Sequence, residues 1–263
     1  MGRFSKLFVV AAVLALPIIS HSGVAQEHSE DTTEKAAALI KASIGARGGD
    51  KYMNVQTVVS RGQYTPFVKG KTTVPQRFVD YIVYPDKERV EFGSGDQKRV
   101  ETNVGNTGWA YSGESRLIRD QKDDEIKLYV QLNRYDIDAI IRHGWHDQDA
   151  KLAYIPRKEV WAQTFAEGVK VDFSDGGSET IYFDRQTKLP LVNEYKIVTE
   201  DGTKKDSVRY YQWMDFDGVK FAHIQDAYSD NVQIARTYFE SIRVNESVPE
   251  KLFAKPANAK EVK

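Results

Sequence analysis

The 263-residue sequence contains no cysteine, and that excludes several things at once. No disulfide can staple the fold, no thiol can serve as a nucleophile, and no N-terminal cysteine can carry a lipid anchor. Long apolar runs are equally scarce. The one example, Leu7 to Ile19, is about 13 residues long and is broken by Pro17, short of the roughly 18 that span a bilayer. Neither sign of charge is in excess, with 37 basic residues set against 38 acidic ones. No basic stripe marks a nucleic-acid surface, so nucleic acid is not an expected partner. The chain also lacks a Gly-x-Ser-x-Gly elbow. Its glycine-rich pieces, Gly93-Ser94-Gly95 and Gly176-Gly177, fall between strand patterns and read as turns, not as phosphate cradles.

The chain opens with an export signal. Arg3 and Lys6 precede the apolar run, and Gly23-Val24-Ala25 supplies small residues for cleavage, so residues 1–25 are read as a signal peptide and Gln26 as the mature start. The expected location is the periplasm. Residues 26–263 then form one domain, long enough for a single core held by burial alone.

After the leader, Asp31 and Glu34 have capping-box spacing, Ala36, Leu39, Ile40 and Ile44 recur at helical spacing, and Gly48-Gly49 ends the run. Strand patterns follow at Gln56–Tyr64, Gln76–Tyr84, Arg89–Phe92, Val100–Val104 and Gly108–Tyr111, with Thr65–Pro75 expected as a loop. Asp123–His143 is a helical insertion. Asp123 or Asp124 is its expected cap, Leu128, Leu132 and Tyr135 share one face, and Asp136 can start a second short helix. From Val169 to Val244 the pattern is a ladder of short strands with period two. Val169, Val171 and Phe173 alternate with Lys170, Asp172 and Ser174, and Asp217-Gly218 makes a hairpin turn. The tail from Pro256 is polar and is expected to fray. The fold class is mainly β with helices (α+β): about eleven antiparallel strands covered by an N-terminal helix and a helical insertion.

Few residues suggest chemistry. His143 and His146, with Asp147 and Asp149, carry metal-ligand types, but Gly144 lies between the two histidines and solvated turn residues explain the cluster better. Asp123-Asp124-Glu125 sits where a helix start favours negative charge. No catalytic residue, metal or cofactor is expected. What remains is aromatic. Several strands are apolar on both faces: Tyr210 and Tyr211 point opposite ways, as do Trp213 and Met214. A face not filled by core can hold an apolar ligand, and the cavity candidates are Phe92, Trp109, Tyr111, Leu128, Leu132, Phe173, Phe183, Tyr195 and Trp213.

The order of elements resembles the bacterial outer-membrane lipoprotein-sorting carriers (LolA/LolB-like). Ile181-Tyr182-Phe183-Asp184-Arg185-Gln186-Thr187-Lys188-Leu189-Pro190 is similar to the family's strand and Leu-Pro turn. Asp215-Phe216-Asp217-Gly218-Val219-Lys220-Phe221 resembles a hairpin common among its relatives, and Gly108-Trp109-Ala110-Tyr111 resembles a family strand. The resemblance implies an open, curved half-barrel with an apolar cavity for acyl chains, and an arginine near the first strands that holds the helical lid. Arg61 lies in about that place, with no local motif to pin it. The expected function is therefore a monomeric carrier or binding protein for a lipid, an acylated protein or a similar apolar cargo, with no chemical step. The alternatives are a sensor or interaction module for a membrane-anchored partner protein and, further off, a metal-dependent hydrolase at His143 and His146.

Overall fold

The computed structural model describes residues 22–199 and 202–262, so the expected leader lies outside the described residues as far as position 21. Helix α1 (Ser22–Arg47) begins earlier than the capping box indicates. Asp31 is inside the helix and pairs with Lys35 one turn on, at 2.6 Å, so it supports the helix by an i,i+4 contact and not as a cap. Gly48 and Gly49 end α1 as expected. Both have positive φ, and the Gly49 N–H returns to the Ile44 carbonyl at 2.9 Å. A single turn, α2 (Asp50–Met53), leads into the sheet.

The first half of the sheet comprises β1 (Thr57–Val68), β2 (Lys71–Thr72), β3 (Gln76–Val83), β4 (Lys87–Phe92), β5 (Arg99–Val104), β6 (Thr107–Ser112) and β7 (Leu117–Asp120). Helices α3 (Asp123–Arg134) and α4 (Ile137–Arg142) follow. The second half is β8 (Lys151–Trp161), β9 (Thr164–Asp172), β10 (Ser178–Asp184), β11 (Pro190–Thr199), β12 (Gly202–Phe216), β13 (Val219–Ser229) and β14 (Val232–Val244). Fourteen strands make one antiparallel sheet, ordered β7-β6-β5-β4-β3-β1-β14-β13-β12-β11-β10-β9-β8, with β2 paired to β1 off this path. The sheet is an open half-barrel, and the pairing of β1 with β14 joins the two ends of the chain at its centre.

Several boundaries move for identifiable reasons. Thr65–Pro75 is not all loop, because β1 continues through Pro66 to Val68 and turns into β2 at Lys69-Gly70. Pro66 brings no N–H to the ladder, and its carbonyl accepts the Thr73 N–H at 3.0 Å. Pro156 is likewise tolerated in β8, an edge strand whose register shifts around it. The insertion breaks at Tyr135, and Asp136 caps α4 by accepting the Asp138 and Ala139 N–H groups at 2.9 and 3.2 Å. At the start of α3 the N-cap position is Lys122, whose N–H is taken by Glu125 at 2.8 Å, and not Asp123 or Asp124.

Cross-strand partners share a face, so the register sorts the side chains. The inner face carries the helices. There Ala36, Leu39 and Ile40 of α1 and Ile137, Ile140 and Ile141 of α4 pack on Val169, Val171, Ile181 and Phe183 of the second half, forming the main core. On the outer face of the first half, Val100 and Trp109 are buried beneath the C-terminal segment through Val262. The Trp109 indole donates to the Phe253 carbonyl at 3.0 Å. The tail therefore does not fray. It straps the outer face, because an apolar indole and valine there need cover.

Candidate ligand cleft

Between the inner face and the α3–α4 segment lies a cleft of about 370 Å³, lined by Val58 and Ser60 of β1, Asp80 and Ile82 of β3, Glu88 of β4, Tyr129 and Leu132 of α3, and Phe221, Phe239 and Ile242 from β13 and β14. Alternation explains the lining. Val58 faces Ile82, Ser60 faces Asp80 and Ile82 faces Glu88 in register, so one side of three adjacent strands forms the wall.

Helix α3 forms the roof without being part of the core. It has no buried residue, and Leu128, Val130 and Leu132 are 43%, 43% and 40% exposed. It is held at its ends. Arg119 grips Glu125 at 2.6 Å, and Arg134 reaches Asp149 at 2.9 Å and Asp175 at 3.0 Å while covering the Phe173 ring.

Helix α4 is anchored from within. Arg47, at the end of α1, is 1% exposed and donates from Nη1 to Asp138 Oδ1, and the Tyr52 hydroxyl donates to the same oxygen at 2.9 Å. Burial works against the guanidinium charge, but the Asp138 carboxylate beside it outweighs this and holds Arg47 above its ordinary pKa. Arg142 completes the anchor through the carbonyls of Met53 and Val55. Arg61 stands elsewhere, exposed on β1 opposite Ser241. The sequence offers no hint of Arg47's role, since a basic residue in the last turn of a helix already has a reason to be there.

Acids stand among the apolar side chains of the cleft. Burial, then the neighbouring charge of Glu88, pushes Asp80 well above the carboxylate range. Glu88 is raised to about 7 by burial, Asp136 and Glu101. Asp136 is raised to about 6 by burial and Asp138. Asp136 nonetheless keeps accessible surface, and that surface opens into the cleft it lines. The sequence pattern marked Asp136 only as a helix start and gave Asp80 and Glu88 no role. The available signal was phase: Asp80 lies between Phe78 and Ile82, and Glu88 shares the phase of Val90 and Phe92, so both occupy positions that period two assigns to the inner face.

The cavity candidates from sequence separate into groups. Leu132 lines the cleft, and Leu128 is on the same helix, more outward. Phe92 is on the inner face in an aromatic row, with Tyr64 at 5.4 Å and Phe78 at 6.4 Å, and Phe78 in turn meets Phe239 at 5.7 Å. Phe173 and Phe183 are buried in the main core. Phe173 and Tyr195 flank Tyr135, edge-on at 5.7 Å and stacked at 6.0 Å. Trp213 donates to the Pro190 carbonyl at 2.9 Å and lies beside Arg47. Trp109 and Tyr111 are on the outer face, paired with Thr102 and Val100. At the other sequence cluster, the His146 ring lies against Trp145 at 3.5 Å. Among the described residues, no three His, Cys, Asp or Glu side chains converge as a metal site.

An open antiparallel half-barrel with helices across its inner face is the LolA-like fold. Solved structures bear this out: a DUF1329 family protein from Desulfovibrio piger (11% identity, TM-score 0.55, covering 83% of this chain and 97% of that one) and a LolA superfamily protein from Nitrosomonas europaea (9%, 0.55, 84% and 97%) share it. A putative outer membrane lipoprotein-sorting protein domain from Vibrio parahaemolyticus does as well (10%, 0.52, 86% and 97%). No family model and no curated protein matches the sequence.

Proposed function

We propose that the chain is a periplasmic carrier or binding protein that holds an acyl chain, free or attached to a protein, in the cleft beneath α3, with no chemical step. The observation that carries this reading is the roof. An amphipathic helix with no buried residue, gripped at its ends by the Arg119–Glu125 and Arg134–Asp149 pairs, lies over a cleft walled by Val58, Ile82, Phe221 and Phe239. The volume falls within the roughly 300–1,000 Å³ usual for small-molecule sites. Each methylene moved from water into such a cleft contributes about 0.8 kcal/mol, so a chain of ordinary length binds without specific polar contacts. Release requires α3 to lift, a shift between two populations that a partner with a better site can drive. The likeness in fold to a lipoprotein-sorting domain and the export-type leader support the same reading.

The test is uptake of a fluorescent long-chain fatty acid by the mature protein and by its Ile82→Asp and Leu132→Asp variants. A carboxylate placed in the apolar wall or roof is expected to weaken uptake by at least about tenfold. Equal uptake by both variants, with unchanged circular dichroism, refutes this site.

A further inference from the structure

The acids in the cleft need an explanation that an acyl-chain site alone does not supply. Asp80, Glu88 and Asp136 share a lining that is otherwise largely apolar. The single cationic side chain among the described lining residues, Lys87, is turned to Glu250 at 2.9 Å. Arg47 pairs with Asp138, and Arg142 donates to backbone carbonyls. Asp136 spends one oxygen on capping α4. Asp80 is the decisive case: its Oδ1 is buried and has no hydrogen-bond partner. An acid oxygen buried unpaired in a low-dielectric pocket is costly, and proteins retain such groups where a ligand supplies the partner.

We propose that the cleft selects an amphiphile with a primary ammonium head that donates to Asp80, with the acids Glu88 and Asp136 in the same lining and its alkyl chain running along Ile82, Phe221 and Phe239. This rests on the carrier reading above and names its ligand class. The chemistry discriminates among heads. An ammonium offers three donors to a set of acceptors, whereas a quaternary ammonium brings charge with no donor and leaves Asp80 Oδ1 unpaired. A carboxylate head meets like charge. The ring of Tyr129 borders the same lining and favours a cation. The aromatic row Phe239, Phe78, Phe92 and Tyr64 continues the apolar path along the inner face for a longer chain.

The experiment is calorimetric titration of the mature protein with decylamine, decyltrimethylammonium, decanol and decanoate, repeated on an Asp80→Asn/Glu88→Gln variant. Decylamine is expected to bind at least about tenfold more tightly than any of the other three, as charge-assisted hydrogen bonds to buried carboxylates imply. The double variant is expected to bring decylamine to within about threefold of decanol, both measured on that variant. Decanol or decanoate binding the native protein as tightly as decylamine, or the preference surviving in the variant, overturns the ammonium proposal and leaves the carrier reading standing. Binding of none of the four overturns both.

Discussion

Arg47 and Asp138 form a buried ion pair that joins the end of the first helix to the short helix of the insertion, 91 residues away in sequence. Their side chains are 2% and 12% exposed, and Tyr52 completes the contact. A pair this deep adds little net stability when intact, but losing one partner strands the other charge. Arg47→Ala is therefore expected to cost about 3–5 kcal/mol in urea denaturation. The double change Arg47→Met/Asp138→Leu is expected to cost far less. If the single and double variants lose the same amount, the stranded-charge account is wrong.

The acids of the cleft make stability depend on pH in an uncommon direction. Glu88 and Asp136 titrate near 7 and 6 in the folded protein, above the ordinary values of roughly 4.3 and 3.9 for unfolded carboxylates. The folded state binds more protons than the unfolded state across this interval, so its stability is fully present below it and falls as pH rises through the folded values. The melting temperature is expected to drop between about pH 5 and 8, and Glu88→Gln is expected to flatten the drop. A melting temperature that rises over this range shows that the cleft acids do not control it.

Trp109 separates stability from ligand binding. Its ring is 4% exposed under the C-terminal strap, on the face opposite the cleft. Trp109→Ala is expected to cost about 3–5 kcal/mol and to expose the tail to proteolysis, while uptake of a fatty acid by the folded fraction stays unchanged. A loss of uptake that exceeds the loss of folded protein contradicts this assignment of faces.

Gly62 marks the bulge where the two halves of the sheet meet. The register of β1 against β14 shifts between Arg61 and Gly62, and a Cβ on Gly62 would stand 1.9 Å from the Tyr238 carbonyl oxygen. Backbone cannot yield as a side-chain tip can. Gly62→Ala is expected to lower stability by at least about 3 kcal/mol, measured by denaturation. A neutral result means that the two strands separate readily at this point.

Much of this architecture was legible because period two and turn chemistry are local. Val169, Val171 and Phe173 fall on one face as their alternation indicates, and Gly48-Gly49 and Asp136 punctuate the chain where their backbone preferences place them. What escaped was long-range or too short to carry a pattern. The two-residue β2 and four-residue β7 have no room for alternation. The burial of Trp109 on the outer face depends on the strap near Phe253, and the inner-face position of Phe92 on register. Arg47 reads as an ordinary helix end until the fold brings Asp138 to it. The cleft acids were written in the phase of β3 and β4, but an acid in an apolar phase signals a site only after the face is known to be covered.

The most direct test of the carrier account is native mass spectrometry of the mature protein purified from the periplasm, followed by organic extraction. A stoichiometric adduct that yields an alkyl or acyl chain, and that is lost in Ile82→Asp, is the expected result. A bare protein that also fails to take up added lipid contradicts the account and points instead to a module that binds a partner through its surface.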